Sequence, residues 1–117
     1  MRPSLYSYEA EVVSVYDGDT YTLNVDLGYG VCAKKVKCRM FDIGCPEIRS
    51  KDKDEKARGM AARERVRELL PVGSRVVITS HAKGKYGRWL ITLWPDGLDE
   101  TLSEILLREG HAEVYES

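Results

Sequence analysis

No stretch of this 117-residue chain approaches the roughly 20 consecutive apolar residues that a bilayer-spanning helix needs, so no helical membrane span is expected. The opening residues, Met-Arg-Pro-Ser-Leu-Tyr-Ser-Tyr, lack an apolar h-region and a small-residue cleavage site, and a cytoplasmic location is the expectation. Cysteine is scarce. Cys32, Cys38 and Cys45 are odd in number, and their spacing matches neither a zinc knuckle nor a two-bridge disulfide framework. They are read as reduced, partly buried small apolar residues. Internal repeats and low-complexity tracts are also missing. Nor is there an excess of positive charge: 18 Lys and Arg stand against 19 Asp and Glu, for a net charge of −1. That balance argues against a protein that coats nucleic acid by bulk electrostatics. The length allows one hydrophobic core, so residues 1–117 are read as a single domain and as a monomer.

The charge is patterned even though it sums to nearly nothing. Leu27 to Phe41 carries Lys34, Lys35, Lys37 and Arg39 without an acid, and Leu69 to Pro95 carries Arg75, Lys83, Lys85 and Arg88, again without one. Asp17, Asp19 and Asp26 precede the first basic stretch, and Asp42 and Glu47 follow it. A fold that gathers these segments sets carboxylates beside cations, a mixture suited to metal-assisted work on a phosphate.

Periodicity supplies the elements. Glu9 to Val15 is β-branched and ends at the turn signal Tyr16-Asp17-Gly18; Thr20 to Val25 alternates; Gly28-Tyr29-Gly30 turns the chain into a third strand from about Val31 to Ile43. Asp52 with Glu55 three residues later resembles a capping box opening a helix to about Leu70, with Ala62, Val66, Leu69 and Leu70 on one face and Gly59 weakening it slightly. Arg75 to Thr79 and Trp89 to Trp94 form two more strands, joined by a cationic hairpin. Thr101 and Glu104 cap a second helix that Gly110 ends. Three strands, helix, two strands, helix predicts an α+β, mainly β fold: a five-stranded OB-fold Greek-key barrel with two to three helices.

Cleaving a phosphodiester needs an activated water, an electrophile for the phosphoryl oxygens and a route for the leaving oxygen. Carboxylates and arginines can supply all three. Asp17-Gly18-Asp19-Thr20, Arg39 eight residues before Glu47 in Pro46-Glu47, Lys85-Tyr86-Gly87-Arg88 and Leu107-Arg108-Glu109-Gly110 occur here in that order. Together they resemble the staphylococcal nuclease (thermonuclease) family. The resemblance implies that Asp19 binds a metal, Ca²⁺ in the family, and that Glu47 positions or activates the attacking water. It implies further that Arg39 and Arg88 bind the phosphate and stabilise the transition state, and that Lys85 and Tyr86 lie near a substrate phosphate. The implied partner is DNA or RNA, cleaved to leave a 3′-phosphate, and the chain's low basicity suggests a single-stranded one. Without that context Asp17 and Asp19 are ordinary turn formers, and Asp17 is still read as one. Trp89 and Trp94 are read as packing residues, and His81 and His111 as surface residues.

One position departs from the family. A second metal-binding aspartate usually lies two residues before the proline, and Gly44 stands there; Cys45, in place of a threonine, offers only its backbone carbonyl. On a continued strand Asp42 shares the face of residue 44 and is a tentative metal ligand, but two residues span about 6.6 Å, well beyond a Ca²⁺–oxygen bond of roughly 2.3–2.6 Å. The alternative to a nuclease is therefore a nucleic-acid-binding module with a degenerate metal site.

Overall fold

The computed structural model describes residues 7–83 and 87–114. Five strands close into a barrel: β1 (Ser7–Val15), β2 (Thr20–Gly28), β3 (Val31–Met40), β5 (Arg75–Lys83) and β6 (Trp89–Pro95), in the spatial order β1-β2-β3-β6-β5. A two-stranded sheet pairs β4 (Ile43–Gly44) with β7 (Glu113–Val114), and the helices are α1 (Lys53–Leu69) and α2 (Leu102–Arg108). Every neighbouring pair in the barrel is antiparallel except β3 with β6, which run parallel. A parallel pair needs a long crossover, and the segment carrying α1 and β5 supplies it. This is the five-stranded barrel expected, with two helices.

Alternation explains the core. Tyr21, Leu23 and Val25 on β2, Val76 and Ile78 on β5, and Ile91 and Leu93 on β6 point inward two residues apart. On β1 the inward residues are Ala10, Val12 and Val15, and the extra step coincides with a register shift between Val12 and Ser14. Such a bulge re-aims the strand end that leads into the Asp17–Asp19 turn. From α1, Ala62, Val66 and the following Leu70 are buried as the helical period required, and α2 adds Leu102, Ile105 and Leu106.

Several boundaries differ from expectation. The third strand stops at Met40 instead of running to Ile43; Phe41 and Asp42 form a bend, and β4 then leaves the barrel to pair with β7. β7 is too short to be read from sequence. Asp52 caps α1 by accepting from the backbone N–H of Asp54 and Glu55, but Glu55 accepts from Ser50 Oγ at 2.6 Å, so the first capping box is only half made. The second is complete at Thr101 and Glu104. Cys38 is buried and Cys45 half-buried, and both are free thiols; Cys32 is exposed, against expectation, because it sits near the solvent-facing tip of the β2–β3 hairpin.

Candidate active site

The site grows from the turn between β1 and β2. Asp17 Oδ1 accepts from the Asp19 backbone N–H at 3.1 Å, which folds the turn locally. Asp19 is then fixed from several sides. Its Oδ1 accepts from Thr20 Oγ1 at 3.1 Å, its Oδ2 accepts from the Cys45 backbone N–H at 3.0 Å, and its carbonyl accepts from the Met40 N–H at 2.9 Å. Thr20 pairs with Arg39 across β2 and β3, and the Arg39 guanidinium stands 3.6 Å from Asp19 Oδ2. Tyr21, fully buried, donates its hydroxyl to the Gly18 carbonyl; burial holds the phenol well above its ordinary range, so it remains a donor.

Two glycines let the pieces meet. A Cβ on Gly18 would lie 2.6 Å from Cys45 Sγ and 3.0 Å from Ala62 Cβ, so the turn packs directly on the segment after β4 and on α1. A Cβ on Gly59 would lie 2.7 Å from the Pro46 carbonyl oxygen and 3.0 Å from the Glu47 carbonyl carbon. The helix thus touches the backbone that carries Glu47, a close approach that outweighs the roughly 1 kcal/mol glycine costs inside a helix.

A cavity of about 430 Å³ results, lined by Asp19, Arg39, Gly44, Cys45, Glu47 and, from α1, Glu55 and Arg58, with residues 110–114 on its rim. Asp19, Arg39 and Glu47 therefore come together. Arg88 does not line this cavity; it lines a neighbouring groove. Asp42 does not line it either. Because the chain bends at residues 41–42, Asp42 and Gly44 do not share a continuous strand face, and Asp42 Oδ1 accepts from Ser103 Oγ at 2.7 Å instead. Lys85 and Tyr86 lie outside the described residues. His81 is exposed and stacked on Phe41, with ring centroids 4.3 Å apart. His111 is half-buried on the rim of the cavity, a place its sequence neighbours did not reveal.

Sequence reading also missed the burial of Asp17, which is only 6% exposed. Burial, then the hydrogen bond to and repulsion from Asp19, push its carboxyl up to about 7. Cys45 is pushed up to about 12, by burial first and then by the charges of Asp19 and Asp17, so its thiol stays protonated. Between the 3.8 at which an unfolded aspartate releases its proton and about 7, folded Asp17 keeps it, so the folded state binds more protons there. Stability falls as pH rises through that window. In EDTA, Asp17→Asn is expected to remove this slope from the thermal midpoint and to exceed wild type above pH 7; parallel curves for the two proteins would refute it.

Among the described residues, no group of three or more His, Cys, Asp and Glu side chains is placed to hold a metal ion. What exists is thinner: the Asp19 carboxylate beside the Asp17 carboxyl, with the charge of Glu47 also raising Asp17. That convergence of negative charge fits a hard cation that keeps most of its water, as one bound through one or two carboxylates does, and does not fit an all-protein cage.

The fold and the cavity define a small OB-fold barrel with an acid and arginine cluster at one end. The family model described as staphylococcal nuclease homologue matches residues 37–117, and the chain belongs to that family. Asp19 lies before the matched segment. No curated protein matches the chain. No helix among the described residues is long and apolar enough to cross a membrane.

Proposed function

We propose that this chain hydrolyses phosphodiester bonds of DNA or RNA with a divalent cation, Ca²⁺ by family resemblance. The observation that carries the reading is the single cavity shared by Asp19, Arg39 and Glu47. Arg39 presents a planar guanidinium to the phosphate, and its position against Asp19 restricts how far it can swing. Glu47 is exposed at the cavity and free of the network that holds Asp19, so its carboxylate can orient a water and take its proton. The water oxygen bonds to phosphorus as its proton passes to Glu47, the P–O5′ bond breaks, and the departing 5′ oxygen takes a proton from solvent water. A bound cation would stabilise charge on the phosphoryl oxygens, held by Asp19 and the Cys45 backbone carbonyl with water completing its shell.

The test is cleavage of single-stranded DNA and of RNA with Ca²⁺, with Mn²⁺ and with EDTA, alongside Glu47→Gln and Arg39→Ala. Metal-dependent cleavage lost in both variants supports the reading. Equal background in all samples sinks it and favours a binding module, which Gly44 and the engaged oxygens of Asp19 would then explain. The same glycine supplies a second expectation. Gly44 lines the cavity and is not in the left-handed backbone region, so an L side chain fits its backbone. Gly44→Asp is expected to tighten Ca²⁺ binding by about tenfold or more through the added anionic ligand, read by calorimetric titration. An unchanged titration would place the cation elsewhere.

A further inference from the structure

Beside the cavity lies a groove of about 620 Å³ whose lining includes Lys37, Arg49, Arg63, Arg67 and Arg88 and, among the described residues, not one carboxylate. These cations come from separate parts of the chain: β3, the loop after β4, one face of α1, and the residue preceding β6. Arg63 and Arg67 stand four apart on α1, a like-charge spacing that disfavours a helix by a few tenths of a kcal/mol. Glu64 offsets part of that, at 3.9 Å from Arg63 Nε and 3.5 Å from Arg67 Nη1. At 3.9 Å it does not hydrogen-bond Arg63 Nε, which is buried and has no acceptor among the described residues. Arg49 lies with its guanidinium 5.6 Å from the ring centroid of exposed Tyr16, another lining residue, so a cation–π contact holds it at the groove.

The groove adjoins the cavity. Thr20 lines the groove while Asp19 lines the cavity, and Lys37 precedes Arg39 by two residues on β3. Those two side chains project from one face about 6.6 Å apart. We infer that the groove is a second binding site, for the sugar-phosphate backbone of a nucleic-acid strand whose scissile phosphate is held at Arg39. This rests on the nuclease reading and adds to it a surface that tracks the strand away from the bond being cut. The site also accounts for a nearly neutral chain that engages a polyanion. Five of its cations line this one groove, so affinity is local and falls steeply with salt.

The test is the salt dependence of binding. A fluorescein-labelled single-stranded 12-mer is titrated in EDTA, where cation-dependent cleavage is off, from about 50 to 200 mM NaCl, the range over which such contacts are most revealing. Lys37→Gln with Arg49→Gln is the informative variant, because both side chains are exposed and neither is needed for the core. Each lost phosphate contact removes about 0.7 from the slope of log K against log salt, so the double variant is expected to flatten it by about 1.4 and weaken binding. An unchanged slope overturns the inference. So does wild-type protein that ignores the oligonucleotide, or that binds anionic phosphatidylserine vesicles in its place. Failure of the nuclease reading looks different: full slope, flattened in the double variant, but no cleavage with any cation.

Discussion

Glu47→Gln is expected to slow metal-dependent cleavage by about 10²–10⁴-fold, the contribution typical of a positioned general base. Its thermal midpoint is expected to stay within about 2 °C of wild type, since a surface substitution away from structural features usually changes stability by less than about 0.5 kcal/mol. Glu47 is exposed. The glutamine keeps the shape and removes only the proton acceptor. Arg39→Ala is expected to cost a similar factor, about 10²–10³-fold for loss of one charge-stabilising group, but with a different signature. Arg39 stands against Asp19 and donates from Nη1 to the Met40 carbonyl at 3.1 Å, so its removal also loosens the turn. Arg39→Lys is expected to rescue little, because a point charge cannot reproduce the planar fork. Single-turnover cleavage of a labelled oligonucleotide separates the cases; wild-type rates in Glu47→Gln would remove Glu47 from the mechanism.

The second large effect concerns a residue that touches no substrate. Gly59→Ala in an ordinary helix interior raises stability by about 0.5–1 kcal/mol. Here the sign is expected to reverse. The new Cβ would meet the Pro46 carbonyl at 2.7 Å and the Glu47 backbone at 3.0 Å, and backbone cannot rotate out of the way as a side chain can. Overpacking of this kind costs about 1–3 kcal/mol. For a chain of this size that lowers the thermal midpoint by roughly 4–12 °C. Relief comes by pushing the Pro46–Glu47 segment outward, and a displacement near 1 Å at a catalytic group costs about 10²-fold in rate. Paired calorimetry and cleavage assays check both halves. A stabilised Gly59→Ala with wild-type activity would mean that α1 and the Glu47 segment can separate freely.

That contact also marks where sequence reading stops. Gly59 reads as a small defect in a helix, since local propensity says nothing about a partner 12 positions earlier in the chain. Elements and core faces were legible because they depend on short-range period: Ala62, Val66 and Leu70 on α1, and Tyr21, Leu23 and Val25 on β2. Asp17 was read as a turn former and is one, but its burial comes from segments packed over the turn. The line between Asp42 and Gly44 failed for a related reason. A strand pattern continues through residue 43, whereas the chain bends at residue 41 because β4 finds its partner in β7, some 70 residues later. Arg39 and Glu47 were singled out by their motif, and the fold gathers them with Asp19 at one cavity. Arg88 was singled out by its motif too, but that it lines the groove and not the cavity depends on the fold.

Among the described residues one strand pairing is parallel, that of β3 with β6. Arg39 is in register with Leu90, so the strand that carries Arg39 completes its hydrogen bonding only when the last barrel strand docks. During synthesis from the N-terminus, Arg39 emerges well before Leu90, its partner in β6. Until β6 is in place, β3 has an unpaired edge and its arginine no settled direction. On the proposed nuclease reading, competence and native structure therefore arrive together, and a partly made chain would have little capacity to cut nucleic acid.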